Sequence, residues 1–96
     1  MAGAVINMGS RIYENAIINT RASIDHDCRI GKHVHIAPGA TLSGKVIVGE
    51  TTLVGIGSSV KQGINIGENL LIGAGSNVVK DIPKNTKAFG NPAVIN

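Results

Sequence analysis

The chain has 96 residues and a formal net charge of +3, with one cysteine and only two aromatic residues. This length allows one small domain, and Cys28 alone excludes an internal disulfide and favours a reducing compartment. Without a run of transmembrane length, a signal-peptide pattern or aromatic rings on which bases could stack, we expect a soluble cytoplasmic protein that binds neither membrane nor nucleic acid.

An aliphatic residue occupies every sixth position from Ile6 to Val78, thirteen in succession. The fourth residue after each is mostly small or aliphatic, and glycine often follows the aliphatic residue directly. A period of six fits neither an amphipathic helix nor an alternating strand, and it is the signature of a parallel β-helix. Each hexad is therefore predicted to be a short strand and a corner, with the aliphatic side chain inward and glycine allowing the backbone to turn. The glycines concerned are Gly31, Gly49, Gly55, Gly67 and Gly73.

Three hexads close one triangular coil of eighteen residues, which gives about four coils. Stacking makes residues eighteen positions apart neighbours at roughly 4.8 Å. The repeat predicts a β-helix over residues 1–83 and a tail over residues 84–96 that must cap or leave the stack. The opening MAGAVIN is already in register without an evident cap, and solenoid ends need covering. It therefore predicts a fragment, or an end that another domain covers.

All three histidines lie in the segment SIDHDCRIGKHVHIAPGATLSG, residues 23–44. His26 is the candidate general base, because imidazole accepts a proton near neutral pH. Asp25 and Asp27 are both in reach of it, and the sequence does not choose between them. Gly44 follows His26 by eighteen residues and should lie beside it, with a backbone N–H that no side chain covers. The spacing alone fits a corner glycine equally well.

Three triplets, APG, GIG and GAG, follow one another at eighteen-residue intervals from Ala37 to Gly75. They predict a smooth strip along the helix axis whose bare backbone, including that of Gly57, can bond the amide groups of an extended ligand that lies parallel to the axis. Corner geometry alone would also require small residues there. Three lysines follow, and as point charges they suit the phosphates of a cofactor bound along this strip, although a solvated tail fits them as well. They are Lys80, Lys84 and Lys87.

The segment NTRASIDHDCRIGKHVHIAPGATLSGKVIVGE, with the later GIGSSV, IGAGSNVVKDIP and GNPA, resembles the sialic-acid O-acetyltransferase and UDP-amino-sugar N-acetyltransferase family. The resemblance covers nearly the whole chain. It implies an all-β, left-handed parallel β-helix that forms a homotrimer, with acetyl-CoA bound between adjacent subunits. Members of that family usually begin with a small α/β domain that binds the sugar nucleotide, and the resemblance does not include it.

The resemblance also implies roles for single residues. His26 is the base, Asp27 is the acid that raises its basicity, and the backbone N–H of Gly44 binds the oxyanion. The remaining matches are contacts of the cofactor, at His35, Ile56, Gly73, Ala74 and Gly75. The expected reaction moves an acetyl group from acetyl-CoA directly to an amine or hydroxyl of a sugar or nucleotide sugar in a ternary complex.

Two other functions compete with this one. A zinc enzyme of the γ-carbonic-anhydrase type would need three histidines around the metal. The separations of seven and two residues do not fit the stacking period, so no metal is expected, and His33 is interpreted as a surface residue. A β-helix that serves only in assembly is the other alternative. Cys28 is interpreted as a packing residue, since no base is placed beside an inward thiol to support an acyl-cysteine.

Overall fold

The computed structural model describes residues 4–95, and every regular element in this range is a short strand. Within the same range no helix is long and apolar enough to cross a membrane. The strands are β1 (Val5–Ile6), β2 (Arg11–Ile12), β3 (Ile17–Ile18), β4 (Ser23–Ile24), β5 (Arg29–Ile30), β6 (His35–Ile36), β7 (Thr41–Leu42), β8 (Ile47–Val48), β9 (Leu53–Val54), β10 (Ser59–Val60), β11 (Asn65–Ile66), β12 (Leu71–Ile72), β13 (Asn77–Val78), β14 (Lys87–Phe89) and β15 (Val94–Ile95).

The strands stack into three sheets, because every third strand returns to the same side of a triangular coil. The first sheet has the order β1-β4-β7-β10-β13, the second β11-β8-β5-β2 and the third β15-β14-β12-β9-β6-β3. From β1 to β13, paired strands are parallel, and the partners are eighteen residues apart, as for Ile6 with Ile24 and Ile24 with Leu42. This register confirms the eighteen-residue coil and the parallel β-helix.

Layers of aliphatic side chains fill the interior of the coil. The sixth-residue positions Ile24, Ile30 and Ile36 are fully buried, and so are corner residues such as Ala22 and Cys28. Ile6 holds the same inward position but is 48% exposed, because no earlier coil in the described residues covers it. Met1 to Gly3 of the opening segment MAGAVIN lie outside those residues.

The tail continues the stack in a modified register and brings the solenoid to about five turns. In β14, Lys87 pairs with Leu71, sixteen residues earlier, and Ala88 is buried in the core. β15 then folds back antiparallel to β14, with Val94 opposite Phe89. The side chain of Phe89 consequently lies on the outside of the third sheet.

The glycines that follow the inward residues do not make the turn, which corrects the prediction. None of Gly31, Gly49, Gly55, Gly67 and Gly73 has a positive φ, and the left-handed residue lies two positions later in the hexad. These five glycines are instead required by close approach. A Cβ on Gly49 would lie 2.6 Å from the backbone nitrogen of Glu68, and one on Gly55 would lie 2.6 Å from the carbonyl oxygen of Ile72.

Thr51 is a β-branched residue at one of these left-handed positions, with φ of 58°. Asn69 and Asn85 hold the same corner in the next two coils, and the amide of Asn69 donates to that of Asn85 at 2.9 Å. Thr51→Asn is expected to stabilise the protein by about 1 kcal/mol, because asparagine tolerates this region far better than threonine. The urea midpoint should rise at an unchanged slope. Thr41→Asn, on the exposed face of β7, is the control and should bring no gain; an equal gain there would contradict the strain at Thr51.

Candidate functional site

His26 and Asp27 form the tip of the corner that joins the first sheet to the second, between β4 and β5. Asp27 has φ of 58°, so the backbone turns back and brings the two neighbouring side chains to the same side. His26 Nδ1 lies 3.2 Å from Asp27 Oδ2, and both side chains are about half exposed. The corner thus holds an accessible imidazole with a carboxylate on one of its two nitrogens.

Asp25, the other carboxylate in reach, has a different role in the corner. Its Oδ1 accepts the backbone N–H of His26 at 2.7 Å. This bond satisfies the backbone at the start of the turn, in the way that aspartate commonly stabilises turns. Among the described residues, Asp27 is thus the carboxylate that hydrogen-bonds the ring, and its role as the acid that assists His26 stays a prediction.

Glycines of the two adjacent coils make room for this pair. A Cβ on Gly9, in the preceding coil, would collide with the Asp27 carboxylate. A Cβ on Gly44, in the following coil, would lie 2.7 Å from Nε2 and 2.8 Å from Cε1 of His26. Gly44 is therefore beside the ring, one coil further on, as the stacking rule predicts. The imidazole packs directly on its bare backbone.

The backbone N–H of Gly44 is a free donor at the tip of its corner. The N–H groups on either side are committed, since Ser43 donates to Val60 at 3.1 Å and Lys45 donates to His26 at 2.9 Å. Within residues 4–95 no acceptor takes the N–H of Gly44. A free backbone donor beside an imidazole is the arrangement that an oxyanion site requires. Its role as an oxyanion donor stays a prediction.

An apolar groove of about 510 Å³ runs along the third sheet and the corner that leads from it back to the first sheet. The stacked triplets form one wall, through Ala37 and Pro38, Gly55 and Ile56, and Gly73 and Ala74. His35, Leu53 and Leu71 form the floor on the outer face of the sheet. The sequence-predicted contacts His35, Ile56, Gly73 and Ala74 are thus brought together in one groove.

The backbone N–H groups along this wall are not equally available to a ligand. Gly57 and Gly75, both with positive φ, donate their N–H groups to the preceding coil, at 3.0 Å to Pro38 and 2.8 Å to Ile56. Ile56 and Ala74, at the exposed tips of their corners, keep N–H groups that no backbone carbonyl in residues 4–95 accepts. An extended ligand with amide groups would therefore find its donors at Ile56 and Ala74.

Two residues of the groove were missed by the sequence reasoning. The Asn19 amide nitrogen contacts Nε2 of His35 across adjacent coils, and both residues line the groove. Phe89, from β14, lies so close to Gly73 that a Cβ there would enter its ring, and it closes the groove toward the tail. The stacking register offered a signal for Asn19, because Ile17 pairs with His35. Phe89 carried no such signal, since the tail departs from the repeat.

The other candidates lie elsewhere. His33 is an exposed corner residue with φ of 59° between the second and third sheets, so the three histidines occupy different sides of the triangle. No group of three potential metal ligands was found among the described residues. Lys80 lines a separate groove of about 400 Å³ beside Pro92 and Val94, and not the groove of the triplets.

Cys28 is fully buried at the inner position of the His26 corner. Burial raises the pKa of its thiol, and Sγ donates to the carbonyl oxygen of Ser43 at 3.2 Å. A neutral thiol without solvent access is a poor nucleophile. Its surroundings therefore support the packing interpretation rather than a covalent acyl intermediate.

Comparison with known proteins identifies the repeat and the fold. Residues 9–44 match the family described as bacterial transferase hexapeptide (six repeats). PerB from Caulobacter crescentus, known in complex with CoA and GDP-perosamine, is 47% identical over 100% of this chain and 46% of its own, with a TM-score of 0.99. The acetyltransferase domain of PglB from Neisseria gonorrhoeae is 42% identical over 100% of this chain and 47% of its own, also with a TM-score of 0.99.

The chain is also similar, more distantly, to a serine acetyltransferase. Soybean serine acetyltransferase is 32% identical over 92% of this chain and 40% of its own, with a TM-score of 0.87. The chain thus spans less than half the length of each of these proteins. Taken with the six-residue repeat and the parallel β-helix, these likenesses show that the chain belongs to the hexapeptide-repeat transferase family.

Proposed function

We propose that the protein transfers an acetyl group from acetyl-CoA to the amine of a nucleotide-linked amino sugar. The observation that carries the proposal is the joint presence of an accessible His26–Asp27 pair and an apolar groove with two free backbone donors. Similarity to proteins known with CoA and with acetyl coenzyme A supports the donor. Similarity to a perosamine N-acetyltransferase, 46% identical, favours an amine over a hydroxyl acceptor.

The chemistry follows from the two sides of the imidazole. With Nδ1–H donating to Asp27, Nε2 carries the lone pair and can accept the proton that the attacking amine loses. Asp27 then stabilises the imidazolium that forms. The N–H of Gly44, beside Nε2, stabilises the negative oxygen of the tetrahedral intermediate. Collapse of that intermediate breaks the carbon–sulfur bond, and the CoA thiolate leaves with the proton that His26 returns.

A homotrimer would bring the two halves of this site together. Within one chain His26 stands at the corner between the first and second sheets, whereas the groove lies on the third sheet, and the two share no lining residue. We infer that the His26 corner of one subunit faces the groove of the next. Exposed apolar side chains in and beside the groove, Leu53 at 36% and Ile17 at 41%, support such an interface.

Ile56→Glu is expected to weaken acetyl-CoA binding about tenfold or more, because a carboxylate would enter an apolar wall and meet an anionic ligand. Isothermal titration with acetyl-CoA measures this directly. Ile47→Glu is the matched control, since Ile47 is also exposed and aliphatic but lies on the second sheet, outside the groove. The affinity of the Ile47→Glu protein for acetyl-CoA should equal that of the unchanged protein.

The same titration tests the proposed function. Saturable binding near one acetyl-CoA per chain, followed by acetylation of a nucleotide-linked amino sugar, is the expected result. Absence of binding by the folded protein would overturn the acetyltransferase and favour a β-helix that serves only in assembly. Equal affinity of the two glutamate variants would move the cofactor to a different surface.

A further inference from the structure

A single hydroxyl from the first coil clamps the corner that carries His26 and Asp27. Ser10 Oγ donates to the carbonyl oxygen of Asp25 at 2.6 Å and accepts the backbone N–H of Cys28 at 3.1 Å. These two groups are the entry and the exit of the four-residue corner. One side chain therefore fixes the separation of its two ends from inside the solenoid.

The clamp is present at some corners only, so it is not a requirement of the fold. Equivalent inner corner positions hold aliphatic residues that cannot bond in this way, as at Ala16, Ala22, Val34, Ala40 and Val46. Those corners close without it. The same geometry recurs at Thr52, whose Oγ1 donates to Gly67 at 2.9 Å and accepts the N–H of Leu70 at 3.3 Å.

A second bond extends the clamp to the Gly44 corner. Cys28 occupies the inner position one coil after Ser10, and its Sγ donates to the carbonyl oxygen of Ser43. A column of two polar inner residues thus links the corner of the candidate base to the corner of the candidate oxyanion donor. Outside the solenoid, both His26 and Asp27 are half exposed, and among the described residues they pack against backbone at Gly44 and Gly9. Their geometry depends on the backbone beneath them.

We propose that Ser10 is a positioning residue for His26, acting through the backbone of residues 25–28 to hold the ring against Asp27 and over Gly44. The proposal rests on the proposed function of His26 as the base. Without the clamp the corner relaxes, the contact between Nδ1 and Asp27 is populated less, and the tautomer with a free Nε2 lone pair loses its preference. Proton transfer then slows, while the groove on the third sheet is unaffected.

Ser10→Ala tests this, with Thr52→Val as the matched control that removes an equal clamp from a corner outside the site. Alanine already fills equivalent positions, as at Ala16, Ala22 and Ala40, so the variant should fold. Nitrogen-15 spectra of the His26 ring without ligand should show a single Nδ1–H tautomer in the unchanged protein and a mixture in Ser10→Ala. The kcat for transfer should fall about three- to tenfold at an unchanged KM for acetyl-CoA.

Ser10→Thr should restore both readouts, because threonine makes the same two bonds at Thr52. Thr52→Val should lose comparable thermal stability with the tautomer and kcat unchanged. If Ser10→Ala and Thr52→Val have the same tautomer populations and the same kcat, Ser10 is merely structural. Acetyl-CoA titration distinguishes this outcome from failure of the proposed function. If Ser10→Ala alters the tautomer but the unchanged protein binds no acetyl-CoA, Ser10 still positions the His26 ring and the proposed acetyl transfer is wrong.

Discussion

Replacing His26 by alanine should lower kcat for acetyl transfer by about two to four orders of magnitude, the usual contribution of a positioned general base. The side chain is half exposed and its ring packs on Gly44 without entering the core, so its loss should leave folding intact. Acetyl-CoA affinity should change little, since the apolar groove that would hold the cofactor is lined by other residues. Steady-state kinetics with titration calorimetry on the same preparation separates the two effects.

His33→Ala is the control for this substitution. His33 is also an exposed corner histidine, preceded in its corner by a lysine and not followed by an acid, and it lies on a different side of the triangle. Its kcat should match that of the unchanged protein. Full activity in His26→Ala would show that the base does not lie in this corner. The next candidate for the base would be His35, which lies in the groove with Asn19.

Gly44→Ala should be nearly as damaging, for a steric reason. The added methyl would lie 2.7 Å from His26 Nε2. The imidazole must therefore rotate away from residue 44, and Nε2 must leave its position over the backbone. Alanine keeps the N–H of residue 44, but the displaced Nε2 no longer lies beside it, so the base and the oxyanion donor no longer face the same reacting group. A positioned general base commonly contributes about 10²–10⁴ to the rate, and we expect a loss of about 10²–10³. Because the clash is with a mobile side chain, the thermal midpoint should change little.

Gln62→Ala tests whether the effect belongs to position 44 alone. Gln62 is one coil further along the same corner, eighteen residues after Gly44, and its side chain is exposed. The substitution should leave kcat unchanged. Comparable losses at both positions would indicate a general effect on the corner. Full activity in Gly44→Ala, with the displaced ring seen in a crystal structure, would show that the packing of the ring on residue 44 is not needed.

Much of the fold could be predicted from the sequence, because the six-residue period dictates which side chains face inward. Ile24, Ile30 and Ile36 are buried as the period requires, and the eighteen-residue rule places Gly44 beside His26. The interpretation of the glycines was wrong, since Gly49 and its equivalents avoid a clash with the next coil and do not make the turn. The sequence shows that these positions hold glycine. A turn with positive φ and a close approach of backbone both favour glycine, so the residue type alone does not distinguish them.

The candidate site was predictable only as far as the repeat extends. By itself the sequence determined the solenoid, the corner of His26 and the strip of triplets, since all of these follow from a fixed period. Only the tertiary structure decided that Asp27 and not Asp25 meets the ring, because that depends on the left-handed backbone at Asp27. It alone also placed Phe89 in the groove and Lys80 outside it. The stacking interval falls from eighteen to sixteen residues between Val78 and Ile82, so a fixed period could not relate Lys80, within this segment, or Phe89, beyond it, to the coil beneath.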